Sequence, residues 1–291
     1  MKTVVILGAG QFGRAVSRLI NTEELRLVGF GDNNTGLHHM SETEKIGMGF
    51  PAHVPVLPVA QAVSIRPDYI LTGVTDGSRT GQLMDQARSL GFQGDFICLG
   101  ELYRHFDIRS ATLRQIAARL HEQGIPGQIA ELGVYRGDMA WKLNALFPDR
   151  FLYLFDTFEG FDPRDIEEAY GCSRAKKGDF SDTSKQAVLN RLPFPDRAVV
   201  REGYFPGTAS GLESETYALV SLDADLYAPL LAGLEYFYPR LSPGAMILMH
   251  DYNNERFRGA RQAVADYEKR HHRLILVPLC DLHGSAVIVR P

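Results

Sequence analysis

Residues Gln128-Ile-Ala-Glu-Leu-Gly-Val-Tyr-Arg-Gly137 mark the point at which a strand-like segment gives way to a helix. The run before the first glycine is typical of a strand buried on both faces of a parallel sheet. Apolar residues at helical spacing follow, over Trp141–Leu146. Glycines at the carboxyl end of a strand let the backbone pass close to a ligand, and open α/β sheets bind ligands at that edge. We therefore predict that Glu131, Gly133 and Gly137 surround a ligand.

The next predicted strand, Phe151–Phe155, ends at Asp156. An acidic side chain at that position can accept hydrogen bonds from both ribose hydroxyls of a nucleoside. The glycine-containing turn, the strand and the acid together favour a nucleoside-bearing cofactor. The alternative is that these residues form only a helix cap with an acid at the helix N-terminus.

The alternation of strands and helices extends in both directions along the chain. Such alternation predicts parallel βαβ units, and 291 residues lie near the upper limit of a single hydrophobic core. We therefore predict an α/β protein with two Rossmann-like domains, residues 1–105 and 106–291. The helix Ile108–Glu122 begins the second domain.

The remaining segments complete this prediction. The polar stretch Thr35–His53 is expected to be a loop, and Arg273–Cys280 with Ser285–Val289 are expected to form a final antiparallel hairpin. Other strands are predicted at Thr3–Leu7, Leu25–Phe30, Val54–Leu57, Tyr69–Leu71, Asp95–Leu99, Ala198–Arg201, Ala218–Leu222 and Ala245–Met249.

Composition narrows the class of protein. The formal net charge of −4 disfavours nucleic-acid binding, which needs clustered Lys and Arg. Cys98, Cys172 and Cys280 form no CxxC pair, so we expect neither a zinc knuckle nor a disulfide framework. No apolar run approaches the ~20 residues that span a bilayer, and the N-terminus lacks the charged start of a secretory signal. We expect a cytoplasmic protein without a nucleic-acid or membrane partner, and apolar helix faces favour a homo-oligomer.

Polar side chains follow two further predicted strands. Asp223 and Asp225 come after one strand, and His250 and Asp251 come after the next. Because parallel strands end at the same edge of a sheet, we expect these side chains to meet. They can hold a divalent metal ion and leave one carboxylate free as a general base. The alternative is that the acids cap helices at the strand ends.

Seven segments, in order along the chain, resemble the signature of the macrocin O-methyltransferase family of antibiotic deoxysugar methylases. The resemblance covers residues 108–291 and implies a class I methyltransferase fold. The segments are Gly124-Ile-Pro-Gly-Gln-Ile-Ala-Glu-Leu-Gly-Val-Tyr-Arg-Gly137, Asp156-Thr-Phe-Glu-Gly160, Gly178-Asp-Phe-Ser-Asp-Thr183, Gly203-Tyr-Phe-Pro-Gly-Thr208, Leu222-Asp-Ala-Asp-Leu-Tyr227, Tyr238-Pro-Arg-Leu-Ser-Pro-Gly244 and His250-Asp-Tyr252.

Members of that family use S-adenosylmethionine and Mg²⁺ to methylate a sugar hydroxyl, so the resemblance implies this chemistry here. By position, it implies that Asp223 and Asp251 bind the metal ion and that Asp225 is the general base. It also implies a set of cofactor contacts. These are Glu131, Gly133 and Tyr135 beside the methionine moiety, Asp156 at the ribose, Gly203 near the adenine, and Phe180 with Thr183 in a covering segment.

One position departs from the family pattern, which has two adjacent acids before the tyrosine. This chain has His250-Asp251 there. A neutral imidazole is a poorer ligand for Mg²⁺ than a carboxylate and suits Mn²⁺ better. The metal is therefore expected to be Mg²⁺ or Mn²⁺, with His250 among its ligands.

The N-terminal domain contains Gly8-Ala-Gly-Gln-Phe-Gly13 between a strand and a helix, and Asp32 ends the second strand. This context predicts a nucleotide site formed by Gly8, Gly10, Gly13 and Asp32. Together with Gly29-Phe-Gly-Asp-Asn-Asn34 and Val54-Pro-Val-Leu57, it resembles the nucleotide-sugar domain of bacterial sugar acyltransferases. A nucleotide or nucleotide-sugar ligand, NAD and a structural relic remain open alternatives.

The function predicted from these observations is S-adenosylmethionine-dependent O-methylation of a sugar, a nucleotide sugar or a glycosylated natural product. Two alternatives belong to other classes. One is a non-catalytic sensor or scaffold that binds nucleotides in both domains. The other is an NAD-dependent oxidoreductase that acts through the N-terminal glycine-rich turn.

Overall fold

The computed structural model describes residues 1–167, 175–254 and 258–291. They divide into two compact units, Met1–Asp107 and Ile108–Pro291. Cys98 and Cys280 are free thiols, whereas Cys172 lies outside the described residues. In the described part of the chain, no helix is both long enough and apolar enough to cross a membrane.

The first unit alternates strands and helices around one parallel sheet. Its regular elements are β1 (Lys2–Leu7), α1 (Gln11–Ser17), β2 (Leu25–Asp32), α2 (Glu42–Gly47), β3 (Val56–Pro58), α3 (Val59–Ser64), β4 (Tyr69–Thr72), α4 (Gly77–Ser89), β5 (Asp95–Ile97) and α5 (Leu99–His105). The strands lie in the order β3-β2-β1-β4-β5. Buried Val5 and Leu7 of β1 pack in one cluster with Val59 and Ala62 of α3 and Ala87 of α4.

The segment Thr35–His53 is not a plain loop, and that prediction is wrong. It contains a 3-10 turn and helix α2. A capping box starts α2: the Ser41 side chain accepts a hydrogen bond from the Glu44 backbone N–H, and Glu44 accepts one from the Ser41 backbone N–H at 2.7 Å. These bonds satisfy donors that the first helical turn leaves open. The Ser-x-x-Glu spacing was the sequence signal for this helix.

The second unit is built on a larger sheet with helices on both faces. Its elements are α6 (Ile108–Glu122), β6 (Gln128–Leu132), α7 (Asp138–Leu146), β7 (Leu152–Asp156), α8 (Pro163–Glu167), α9 (Lys185–Leu189), β8 (Ala198–Glu202), β9 (Tyr217–Leu222), α10 (Tyr227–Phe237), β10 (Leu241–Met249), α11 (Gly259–Arg270), β11 (Ile275–Pro278) and β12 (Ala286–Val289). The strands lie in the order β11-β12-β10-β9-β6-β7-β8.

Strand pairing in this sheet creates a crevice. β6 pairs in parallel with β7 on one side and with β9 on the other, and the chain order reverses direction between β6 and β9. The carboxyl ends of β6 and β9 therefore flank the point where open α/β sheets bind ligands. At the far edge, β12 is antiparallel to both β10 and β11.

Two apolar clusters hold the second unit together, one on each face of the sheet. On one face, Leu234 and Phe237 of α10 and Tyr267 of α11 are buried against the strands. On the other, Leu113 of α6 and Leu143 of α7 are buried. The sheet is thus the middle of three layers, which leaves its strand ends free to build a site.

Candidate active site

A cavity of about 460 Å³ lies in the second unit at the carboxyl ends of β6, β7, β9 and β10. Its volume is typical of small-molecule sites. Ten of the twelve residues that the sequence proposed for this unit line it: Glu131, Gly133, Tyr135, Asp156, Phe180, Gly203, Asp223, Asp225, His250 and Asp251.

The other two proposed residues, Gly137 and Thr183, support the site without belonging to the described lining. Gly137 precedes α7 in a left-handed conformation and packs against Val188. The Thr183 hydroxyl donates a hydrogen bond to the Tyr135 carbonyl. Both residues therefore hold the glycine-containing turn in place.

The close contact between β6 and β9 explains the first glycine of that turn. Gly133 has φ +87°, and a Cβ there would lie 2.2 Å from the Asp223 carbonyl oxygen. The Asp223 backbone N–H donates to the Leu132 carbonyl at 2.8 Å. A side chain at residue 133 would separate these strand ends, so glycine is required for the cavity to form.

Glu131 lines the cavity and is 1% exposed. Its burial, together with the charge of Asp223, raises the pKa of Glu131 well above its usual range. The Oε2 atom has no hydrogen-bond partner among the described residues. An unsatisfied buried carboxyl oxygen is costly, and a ligand N–H group would satisfy it.

Asp156 is engaged differently from the sequence-based expectation. Its Oδ2 atom accepts hydrogen bonds from the backbone N–H groups of Val134 at 2.6 Å and Tyr135 at 2.9 Å, and its Oδ1 atom accepts one from Phe158 at 2.7 Å. A carboxylate oxygen can accept about two hydrogen bonds, so the Val134 and Tyr135 N–H groups use the full capacity of Oδ2. The carboxylate braces the turn, and only Oδ1 retains an acceptor position for a ribose hydroxyl.

The four side chains predicted to form a metal site lie together. One ligand atom from each of Asp223, Asp225, His250 and Asp251 lies within 4.8 Å of the others. His250 Nδ1 is 2.9 Å from Asp223 Oδ1 and 3.2 Å from Asp251 Oδ1. Adjacent ligands of an octahedral ion with metal–oxygen distances of ~2.1 Å are separated by ~3.0 Å. This set of donor atoms and these separations fit a divalent cation.

Backbone turns at the two strand ends bring these side chains together. Asp225 and Asp251 both have φ +57°, in the left-handed region that favours glycine. Non-glycine residues in this region are uncommon and cluster at functional sites. A regular strand would place the side chains of Asp223 and Asp225 on the same face, so the turn lets the two carboxylates point in different directions.

The electrostatics of the cluster are uneven. The pKa of Asp225 lies well above its usual range. Burial is the largest cause, and a hydrogen bond with Asp251 and the charge of Asp223 also raise it. Burial alone would raise the pKa of Asp223, but the charges of His250 and Arg109 outweigh it and hold that pKa low. Burial opposes the charged form of His250, yet Asp223 raises the pKa of this imidazole to about 10.

Arg109 is a lining residue that the sequence analysis missed. It lies in the first turn of α6 and is buried. Its Nη1 atom is 3.0 Å from Asp223 Oδ2. The available signal was its position four residues before Leu113, on the apolar stripe of the helix, where a charged side chain is unusual.

Aromatic residues form one wall of the cavity. The rings of Tyr135 and Phe180 meet edge to face at 5.0 Å, and those of Phe180 and Phe161 at 5.2 Å. The Tyr135 hydroxyl donates to Asp182 at 2.8 Å. The sequence predicted Tyr135 and Phe180, but it did not predict Phe161.

Another part of the cavity wall is polar and includes Tyr204, the residue after Gly203. The Tyr204 hydroxyl donates to Oδ1 of buried Asp165 at 2.7 Å. Burial and this carboxylate raise the pKa of Tyr204 to about 12, so its hydroxyl stays protonated at neutral pH. Neither side chain was singled out from the sequence.

In the first unit, Gly8, Gly10, Gly13 and Asp32 meet at the carboxyl end of the sheet. The Asp32 carboxylate accepts hydrogen bonds from the backbone N–H of Ala9 at 2.7 Å and from that of Asn34 at 2.8 Å. A Cβ on Gly13 would lie 2.0 Å from the Gly8 carbonyl oxygen. Asp32 thus braces its turn as Asp156 does in the second unit.

The family model described as Macrocin-O-methyltransferase (TylF) matches residues 107–290. The chain belongs to this family. The family predicted from the sequence is therefore confirmed.

Curated proteins are similar to part of the chain. A 180-residue match is 28% identical to 8-demethyl-8-(2,3-dimethoxy-alpha-L-rhamnosyl)-tetracenomycin-C 4'-O-methyltransferase of Streptomyces olivaceus and covers 57% of this chain and 67% of that protein. A 162-residue match is 29% identical to mycinamicin III 3''-O-methyltransferase of Micromonospora griseorubida and covers 51% of this chain and 63% of that protein. The chain thus spans about two thirds of the length of these relatives, both named O-methyltransferases.

Solved structures share the fold. The O-methyltransferase NovP gives a TM-score of 0.53 at 22% identity over 62% of this chain and 79% of its own. CalS11, a calicheamicin methyltransferase, gives a TM-score of 0.53 at 20% identity, and the match covers 90% of this chain and 98% of that protein. The α/β fold with a parallel sheet is therefore shared with methyltransferases, as predicted.

Proposed function

We propose that this chain is an S-adenosylmethionine-dependent O-methyltransferase that acts on a hydroxyl of a sugar, a nucleotide sugar or a glycosylated natural product. The observation that carries the proposal is the cavity that residues 131–136 line together with the cluster Asp223, Asp225, His250 and Asp251. One relative is named as a 4'-O-methyltransferase of a rhamnosyl-bearing tetracenomycin, which supports a sugar acceptor.

The cofactor is proposed to lie along β6 and β7. Glu131 offers an unsatisfied buried oxygen at the methionine end, beside Gly133 and Tyr135. Asp156 orients the backbone of the turn, and Gly203 lies on the side proposed for the adenine. When bound, S-adenosylmethionine supplies an electrophilic methyl group, while these residues fix its position relative to the acceptor.

A divalent cation is proposed to be held by Asp223, His250 and Asp251, which fit one by their donor atoms and separations. Such an ion supplies Lewis acidity that favours ionisation of a bound hydroxyl. Because one donor is an imidazole, we propose Mn²⁺ as a better fit than Mg²⁺. Asn254 donates to Asp251 Oδ1 at 2.6 Å and orients that carboxylate.

Asp225 is proposed as the general base. It lines the cavity, and its carboxylate lies within 4.8 Å of the ligand atoms of Asp223, His250 and Asp251, beside the proposed cation. Its hydrogen bond with Asp251 positions it beside the cation ligands. In the proposed reaction, the Asp225 carboxylate would accept the proton of the acceptor hydroxyl as its oxygen gains the methyl group, and the methyl carbon–sulfur bond of the cofactor would break to leave a neutral thioether.

The remaining proposals concern architecture and surroundings. We propose that both units are Rossmann-like domains, that β11 and β12 form the closing hairpin of a class I methyltransferase sheet, and that the first unit binds a nucleotide or nucleotide sugar through Gly8, Gly10, Gly13 and Asp32. A cytoplasmic homo-oligomer remains the expected form.

The test is a screen of sugars, nucleotide sugars and glycosides with isotopically labelled S-adenosylmethionine, read by mass spectrometry. The expected result is a product that carries one labelled methyl group on oxygen and that Asp225→Asn forms far more slowly. Tight cofactor binding without methyl transfer to any acceptor in the screen would favour a non-catalytic scaffold instead.

A further inference from the structure

Arg109 has no part in the proposed reaction, yet it contacts the proposed metal site directly. The residue is 9% exposed, and its Nη1 atom lies 3.0 Å from Asp223 Oδ2. Its Nε and Nη2 atoms have no hydrogen-bond partner among the described residues. A buried guanidinium is costly unless an opposite charge compensates it. The carboxylate of Asp223 is the compensating group that this geometry provides.

Both oxygens of Asp223 therefore face nitrogen atoms. Oδ2 meets Arg109 at 3.0 Å, and Oδ1 meets His250 at 2.9 Å. A metal ion can replace the proton on an imidazole nitrogen, so His250 can change from a partner of Asp223 to a ligand beside it. A guanidinium cannot lose its charge in this way. The positive charge of Arg109 stays beside Asp223 whatever else binds there.

We propose that Arg109 is a fixed counter-cation of the acidic cluster: it holds Asp223 in position in the absence of a divalent cation and lowers the affinity of the cluster for one. This inference rests on the proposed metal site. The physical reason is Coulomb repulsion between the guanidinium and a divalent ion that share one carboxylate inside a cavity, where screening by water is incomplete. Arg109 is thus a positioning residue for Asp223, and its charge sets the metal affinity.

The test is a titration of the full-length chain with Mn²⁺, followed by electron paramagnetic resonance of the free ion, in the absence of S-adenosylmethionine. Arg109→Met removes the charge with little change in volume and should bind Mn²⁺ about tenfold more tightly, or about 1.4 kcal/mol. Arg109→Lys keeps the charge and should stay near the wild-type affinity. Arg114→Met removes an exposed charge from the same helix and should leave the affinity unchanged.

A second measurement reports the positioning role. In EDTA, Arg109→Met should unfold at a lower temperature than the wild type, and Mn²⁺ should raise its Tm by more than it raises that of the wild type. If Arg109→Met does not fold in EDTA, Arg109→Gln, which keeps an N–H donor without the charge, carries the same expectation for Mn²⁺.

Two outcomes contradict the inference and separate it from the proposed function. Mn²⁺ affinity that is equal or weaker in Arg109→Met and Arg109→Gln, beside measurable binding in the wild type, overturns the role of Arg109 and leaves the metal site standing. Absence of Mn²⁺ binding in the wild type and in all variants overturns both this inference and the proposed metal site, while methyl transfer in the acceptor screen remains an independent result.

Discussion

Replacement of Asp156 by alanine should destabilise the second unit as well as weaken cofactor binding. The carboxylate accepts three backbone hydrogen bonds, from Val134, Tyr135 and Phe158. Hydrogen bonds to a charged group contribute about 1.5–3 kcal/mol each. Because Asp156 is only partly buried, water can replace some of these hydrogen bonds, and we expect a total loss of about 3 kcal/mol. For a unit of this size, that loss lowers Tm by roughly 6–12 °C.

The isosteric variant Asp156→Asn refines the prediction. Its carbonyl oxygen can still accept from Val134 and Tyr135, but its NH₂ group then faces the Phe158 N–H, so one hydrogen bond is lost and two donors oppose each other. The expected stability of Asp156→Asn lies between that of the wild type and that of Asp156→Ala. Asp149→Ala is the matched control, because the Asp149 side chain is 63% exposed and should change stability by less than about 0.5 kcal/mol.

Differential scanning calorimetry of the three variants, with titration calorimetry of S-adenosylmethionine, distinguishes the two roles of Asp156. If it braces the turn, stability and cofactor affinity fall together, and Asp156→Asn is intermediate in both. If Asp156→Ala keeps the wild-type Tm and loses only cofactor affinity, the bracing role is refuted and the original assignment as a ribose ligand is restored.

Three further predictions concern the other proposed sites. Asp225→Asn cannot accept a proton and should slow the chemical step by ~10²–10⁴-fold with cofactor affinity unchanged, as measured by single-turnover kinetics; near-normal turnover would remove Asp225 from the mechanism. EDTA should abolish methyl transfer and Mn²⁺ should restore it at least as well as Mg²⁺, whereas His250→Asp should shift the preference to Mg²⁺; full activity in EDTA would contradict the metal site. Gly13→Ala should unfold the first unit, because its Cβ would lie 2.0 Å from the Gly8 carbonyl oxygen, so the proposed nucleotide site is better tested by nucleotide-dependent rises in Tm of the wild type.

The strands were predictable because burial on both faces gives short, uninterrupted apolar runs. Helix α6 has the predicted bounds, Ile108–Glu122, since its apolar spacing persists over its whole length. Strand ends were less accurate: β10 begins at Leu241 and not at the predicted Ala245, because it continues through Ser242-Pro-Gly244, although proline and glycine are uncommon inside strands. Helix α2 was missed because glycine and histidine around it outweighed its capping box.

Much of the site was predictable for a topological reason. Parallel strands deliver the residues that follow them to one edge, so Asp223 and His250 had to approach each other once β9 and β10 were neighbours. What each carboxylate binds there depends on backbone direction, which residue types alone do not specify. Asp156 therefore stands at the predicted place, yet it accepts N–H groups of the turn.

Arg109 shows where prediction from a single sequence stops. Its contact with Asp223 joins residues 114 positions apart, from a helix and a strand end that no motif connects. A charged residue on the apolar stripe of an amphipathic helix indicates that some buried opposite charge compensates it, but it does not indicate which one. Among the acids in the cavity, Asp223 is selected only by the packing of α6 against the sheet. The charge of Arg109 therefore acts on the same carboxylate that is proposed to bind the metal ion, so packing of this helix and metal affinity are coupled through one ion pair.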